Sequence, residues 1–214
     1  MSEESQIISN EENKKDFRRF FFNNKKSVLT VIIIFLVILF SYFFYQDYKK
    51  KIKLSIADKY NLALINYEKN NPSNSITEMK NIINAQDSTY SPLALYFLLD
   101  NNLINESSEI NKYFDILINE MNLDDEIRYL IIYKKGLYNS NKAKEDELLN
   151  IFKPLINDEN IWKSHSLYII AEYFFSKNER QKSKEFFEKI LEMKNPNPKI
   201  KIETQKRLQK DLSE

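Results

Sequence analysis

The stretch SVLTVIIIFLVILFSYFFYQ, Ser27 to Gln46, runs for twenty residues without a charge. At about 1.5 Å of rise per residue, a helix of that length crosses a hydrocarbon core of ~30 Å. Its reading decides the rest: residues 27–46 are expected to be a transmembrane helix. A buried core helix is the first rival, but such a helix normally shows polar residues on an outer face, and this one has only Ser and Thr hydroxyls. A cleavable signal peptide is the second. The apolar run exceeds the ~7 to 15 residues of a signal h-region, Glu3, Glu4, Glu11, Glu12 and Asp16 precede it, and no small-residue cleavage site follows. Instead come Tyr42, Phe43, Phe44 and Tyr45, an aromatic belt of the kind that sits at a bilayer interface.

Orientation rests on the flanks. Lys14, Lys15, Arg18, Arg19, Lys25 and Lys26 precede the span; Lys49, Lys50, Lys51, Lys53 and Lys59 follow it. That bias is slight under the positive-inside rule, and size adds to it, because long domains translocate largely regardless of charge. The expectation is a short cytoplasmic tail, residues 1–26, largely disordered and carrying Phe17, Phe20, Phe21 and Phe22, with residues 47–214 across the membrane.

Composition narrows what that large part is. Roughly 165 residues are enough for one domain with its own core. One Gly and five Pro in the whole chain disfavour many-stranded β architecture and favour helices joined by short Asn-rich connections. The absence of Cys excludes disulfides, thiol catalysis and Cys-ligated zinc. Charge is unevenly placed: 54–162 holds 10 basic against 17 acidic residues, and 177–210 holds 11 against 5. Glu179, Glu185, Glu188 and Glu192 interleave the basic end at helical spacing, so it reads as solvated helix faces before it reads as a nucleic-acid patch.

Apolar periodicity fills the domain with helix pairs. Ile52, Ile56, Tyr60, Ala63, Leu64 and Tyr67 mark one face of a helix that continues directly from the span to Lys69; Asn71-Pro72 stops it, and 73–85 resumes. Further pairs follow at 91–100 and 110–118, at 127–138 and 142–156, and at 158–176 and 179–193. After Asn195-Pro196-Asn197-Pro198, residues 199–212 read as a final, more polar helix.

The pairs keep a period. Aligning Ala63, Leu98, Gly136 and Ala171 gives spacings of 35, 38 and 35 residues. Twelve positions on stand Ser75, Ile110, Leu148 and Ser183; sixteen on, Met79, Phe114, Phe152 and Phe187; nineteen on, Ile82, Leu117, Leu155 and Ile190. This pattern resembles the tetratricopeptide repeat, most closely in the last unit, where Ala171, Ser183, Phe187 and Asn195-Pro196 match its small, small, aromatic and proline positions. The resemblance implies an all-α fold: an N-terminal transmembrane helix, then a tetratricopeptide-like α-solenoid of about four helix pairs with a terminal capping helix.

The layout, with Lys153-Pro154-Leu155 late in a second helix and Asn160-Ile161-Trp162 opening the next, is similar to the bacterial YfgM-type ancillary subunits of the Sec translocon. That resemblance implies a single-pass inner-membrane protein with a periplasmic repeat domain, whose partners are the translocon, periplasmic chaperones and exported polypeptides.

No catalytic constellation is expected. His165 is the sole histidine, with Lys163, Ser164 and Ser166 beside it, and the clusters Asp124-Asp125-Glu126, Glu145-Asp146-Glu147 and Asp158-Glu159 fall at helix starts, where they suit the helix dipole. No enzyme, cofactor, metal, nucleic acid or small-molecule substrate is therefore expected. Tyr96, Tyr129, Tyr133, Tyr168 and Tyr173 are the candidate partner-binding groove, because the repeat's first helices line that groove and Tyr joins apolar area to one hydrogen-bonding tip. The expected function is a membrane-anchored protein-interaction scaffold; the alternative is an envelope assembly factor that acts mainly through its span.

Overall fold

The structure, a computed structural model, describes residues 25–69 and 71–212, and every element in them is helical. The expected tail and its Phe cluster lie outside the described residues except for Lys25 and Lys26. By compactness the chain divides into Met1–Ser55 and Ile56–Glu214.

Helix α1 (Lys25–Glu68) opens in the first unit and ends in the second, as the uninterrupted periodicity predicts. None of its most apolar window is buried; Val31 is 65 % exposed and Ile38 63 %. A core helix of this composition would be covered by protein, so the core reading fails. It is long and apolar enough to cross a membrane.

In the second unit the last turns of α1 are followed by α2 (Pro72–Asn84), α3 (Tyr90–Asp100), α4 (Ser107–Asp115), α5 (Asp125–Asn139), α6 (Glu145–Asn157), α7 (Lys163–Ser176), α8 (Arg180–Glu192) and α9 (Pro198–Asp211). Consecutive helices from α2 to α9 pack on one another, and α5 also meets α7, and α7 meets α9. The repeat register sorts the interior. All four columns read from the sequence are buried in every unit, from Met79, Phe114, Phe152 and Phe187, each fully covered, to Ser75 and Ser183.

The core is three successive clusters. The first gathers buried side chains from Ile56 to Ile131, the second from Ile132 to Phe174, and the third from Leu167 to Leu212. At the first, Tyr60 packs on Tyr90 with ring centroids 5.6 Å apart, and Tyr67 on Phe97 at 5.1 Å.

Asn and Gln make the turns that a chain with one glycine cannot give to Gly. Gln86, Asn102 and Asn178 take positive φ (56°, 52° and 62°) just past α2, α3 and α7. The amide beyond each reversal at Asn102 and Asn178 caps an open carbonyl: Leu103 N donates to Leu98 O and Glu179 N to Phe174 O, both at 2.9 Å.

Several boundaries differ from the expectation: α4 starts at Ser107 and not at 110, and α6 at Glu145 and not at 142. Residues 158–162 do not begin α7: the Asn160 side chain donates to Leu155 O at 2.9 Å and to Asp158 O at 3.0 Å and accepts from Trp162 N at 2.9 Å, holding a turn there. Beyond α4 the backbone widens to a π-helical stretch, Ile116–Glu120.

Candidate interaction face

Helices α3, α5, α7 and α9 alternate along the chain, and side chains link each to the next. From α3 to α5, the Lys134 ammonium stands 5.5 Å over the Tyr96 ring. Between α5 and the start of α7, Tyr133 stacks on Trp162 with centroids 5.0 Å apart and planes at 25°. His165 closes that trio, edge-on to Tyr133 at 6.0 Å and 5.6 Å from Trp162. From α7 to α9, Arg207 donates from Nε and Nη2 to the two carboxylate oxygens of Glu172, both at 2.6 Å, while Nη1 reaches Asp211 and the guanidinium lies 4.3 Å over Phe175. The result is a seam of rings and charges along alternate helices.

Four of the five tyrosines singled out from the sequence border this seam. Tyr96 is half-buried; its hydroxyl is covered without a hydrogen-bond partner, and burial pushes its pKa up to about 12. Tyr129 donates to Asp158 Oδ2 at 3.0 Å, and that bond, with burial behind it, raises its pKa. Tyr133 is raised by burial alone. Tyr168 packs edge-on against Phe187 at 5.4 Å and is raised to about 12, chiefly by burial and then by the Glu172 charge. All four are neutral hydroxyls at physiological pH.

Tyr173 is the exception. It is 8 % exposed inside the second core cluster, edge-on to Phe174 at 5.5 Å, so it offers a partner no surface. Two residues from Ala171, whose side chain is fully buried, it faces the neighbouring pair: its hydroxyl donates to the Ala143 carbonyl at 3.4 Å.

The part of the site that sequence reading passed over is the Trp162–His165 pair. Both polar ring atoms, Trp162 Nε1 and His165 Nδ1, are covered and close no hydrogen bond among the described residues. Burial holds the imidazole pKa below its ordinary value, and the Ile161 carbonyl beside it pulls the other way. Spacing of three residues on one helical face was the available signal. The Arg207–Asp211 spacing of four was legible in the same way, whereas Glu172, thirty-five residues earlier, was not.

Part of the basic end is engaged within the fold. Lys182 bonds Glu145 at 2.9 Å and Glu179 at 2.7 Å, and Lys189 lies 4.3 Å over Phe186. Among the described residues no group of three or more His, Asp or Glu side chains converges as a metal site requires. Against known proteins, the chain matches no family model, no curated protein and no solved structure.

Proposed function

We propose that this chain is a membrane-anchored protein-interaction scaffold: residues 27–46 span the bilayer, and the helices after them form a tetratricopeptide-like solenoid of four pairs capped by α9. The observation that carries this reading is the seam along α3, α5, α7 and α9, where half-buried rings and two cations, Lys134 and Arg207, link alternate helices. Contacts of α5 with α7 and of α7 with α9 support a stacked arrangement, since each solenoid unit leans on its neighbours. Aromatic side chains suit the holding of polypeptides, because they bring large apolar area at small entropic cost.

By the resemblance of its layout, the scaffold is an ancillary subunit of the Sec translocon in the bacterial inner membrane. Its tail is cytoplasmic and its repeats are periplasmic, where they link exported proteins to chaperones. Confinement by the anchor raises effective concentration, so weak contacts suffice. The second reading, an envelope assembly factor working through its span, is favoured by the apolar part of α1, none of which the rest of the chain buries.

A photo-crosslinking residue at Tyr133 in the full chain separates the two. A groove binder keeps its crosslinked partners when residues 27–46 are exchanged for an unrelated apolar helix; a span-mediated factor loses them. Single cysteines at exposed Lys153 and Lys201 of this cysteine-free chain report the side of the membrane. Labelling of intact spheroplasts by an impermeant thiol reagent is the expected result, and protection until lysis overturns the periplasmic assignment.

A further inference from the structure

The two ends of the helical domain are finished differently. At its C-terminal end α9 starts on a proper cap, Asn197 Oδ1 accepting from Lys199 N at 3.0 Å and Ile200 N at 3.2 Å, and its exposed side carries Lys199, Lys201, Gln205, Lys206 and Lys210 around one apolar residue, Ile202. At the other end, α1 turns Leu62 and Ile65 outward, 57 % and 43 % exposed and three residues apart on one face. Beside them, between α1 and α2, lies a hollow of about 370 Å³ lined by Lys59, Leu62, Ala63, Asn66, Asn74, Thr77 and Glu78. A stacked-helix domain needs a polar outer face at each end to stay soluble, and this end sets an apolar pair among the exposed Asp58, Asn61 and Glu68.

We propose that this face is covered by the same face of a second copy of the chain. Three features fit a copy better than an unlike partner. Leu62 forms one wall of the hollow and Ile65 stands next to it, so a twofold contact that seats this apolar wall in the hollow of the other copy is self-matching, as such a contact requires. The hollow holds one cation and one anion, Lys59 and Glu78, which are only loosely paired at 3.9 Å; the axis brings each opposite its complement. A single-pass anchor inserts every copy with one orientation into one sheet, so identical faces meet by lateral diffusion and even a small contact is populated. This inference rests on the anchoring proposed above.

The test uses the full chain in its native membrane. Leu62→Cys and Ile65→Cys are each treated with a short bis-maleimide, with Lys201→Cys, at the far end of the domain, as the collision control; each membrane is also washed with alkaline carbonate. Pairing predicts a species at twice the 25.7 kDa of one chain from the first two variants and none from the third. Adding Leu62→Glu to Ile65→Cys should abolish that species, because it sets two carboxylates against each other at the axis.

Monomer alone, from thiols that a maleimide dye labels, overturns the pairing and leaves the anchor standing. Equal crosslinking at Lys201→Cys, or an adduct of any other mass, also overturns it. Release by carbonate with the doubled species intact fails the anchor and keeps the pair.

Discussion

A methyl group on Gly136 would stand 2.2 Å from Cζ of Phe152, whose ring is fully buried in the second core cluster. The one glycine of the chain is thus fixed by the ring on the facing helix of its own pair, and not by any turn. Gly136→Ala would gain about 1 kcal/mol from helix propensity alone. Overpacking of a closed core costs about 1–3 kcal/mol. The expected sum is a lower urea midpoint at unchanged m-value, and Phe152→Leu in the same chain should relieve much of the penalty, giving a non-additive double-mutant cycle.

Arg207 ties α9 to α7 through a forked pair with Glu172, and its side chain is 25 % exposed. A hydrogen-bonded charge pair of this kind contributes about 1.5–3 kcal/mol. Arg207→Met should therefore loosen α9 first: amide exchange measured by mass spectrometry rises in 198–211 while 145–157 stays protected. Uniform deprotection of both segments would contradict a local role.

Trp162 and His165 are the only residues of their kinds, so fluorescence reads one pair. Burial depresses the imidazole pKa below 6.5. Above 6.5 the group is neutral folded or unfolded and His165 makes no difference to stability. As pH falls below 6.5 the unfolded chain binds a proton that the ring cluster refuses, so stability declines until the folded value is passed. Quenching of Trp162 by the imidazolium should have its midpoint below 6.5, and His165→Gln should remove both the quenching and that part of the slope. A midpoint at or above 6.5 refutes the burial account.

A second acid-sensitive contribution lies lower on the scale. The Lys80 ammonium 2.7 Å away, first, and then the Tyr113 hydroxyl hold the Glu109 carboxyl below its ordinary value of 4.5, against the opposing effect of burial. Its contribution is whole above 4.5 and is lost as pH falls through the depressed folded value. Lys80→Met should flatten the melting temperature against pH below 4.5 and leave the step near His165 untouched.

Asn102 holds a positive φ of 52° at the end of α3. For a residue with an ordinary side chain that conformation costs roughly 1–2 kcal/mol. Asn102→Ala should lower the melting temperature, and Asn102→Gly should not. Equal effects would mean that the Asn side chain, and not the backbone angle, matters there.

The legible part of this fold was its inward face. A period of helix pairs places small and aromatic residues at sites that then prove buried in all four units, since burial follows from spacing along a helix. The Asn-rich connections were legible for a related reason: with Gly nearly absent, Asn is the residue that best tolerates the left-handed turn. Tyr173 was misplaced because adjacent residues of a first helix diverge by about 100°, and membership of that helix does not say which neighbour a side chain meets. The Asn160 turn, which delays α7 to Lys163, depends on carbonyls of the preceding helix that periodicity does not register.

The three overlapping cores bear on synthesis. Each closes from a contiguous length of chain: the first needs nothing beyond Ile131 for its buried members, and the second nothing beyond Phe174. Chain emerging from a ribosome, or threaded through a pore, can shut one core behind it before the next is made, so vectorial emergence and folding run in the same direction. Only the last core waits for the final turn, because Leu212 is among its buried members. A premature stop after α8 would leave a product sound at its beginning and open at its end, a ragged terminus that quality-control proteases are suited to find.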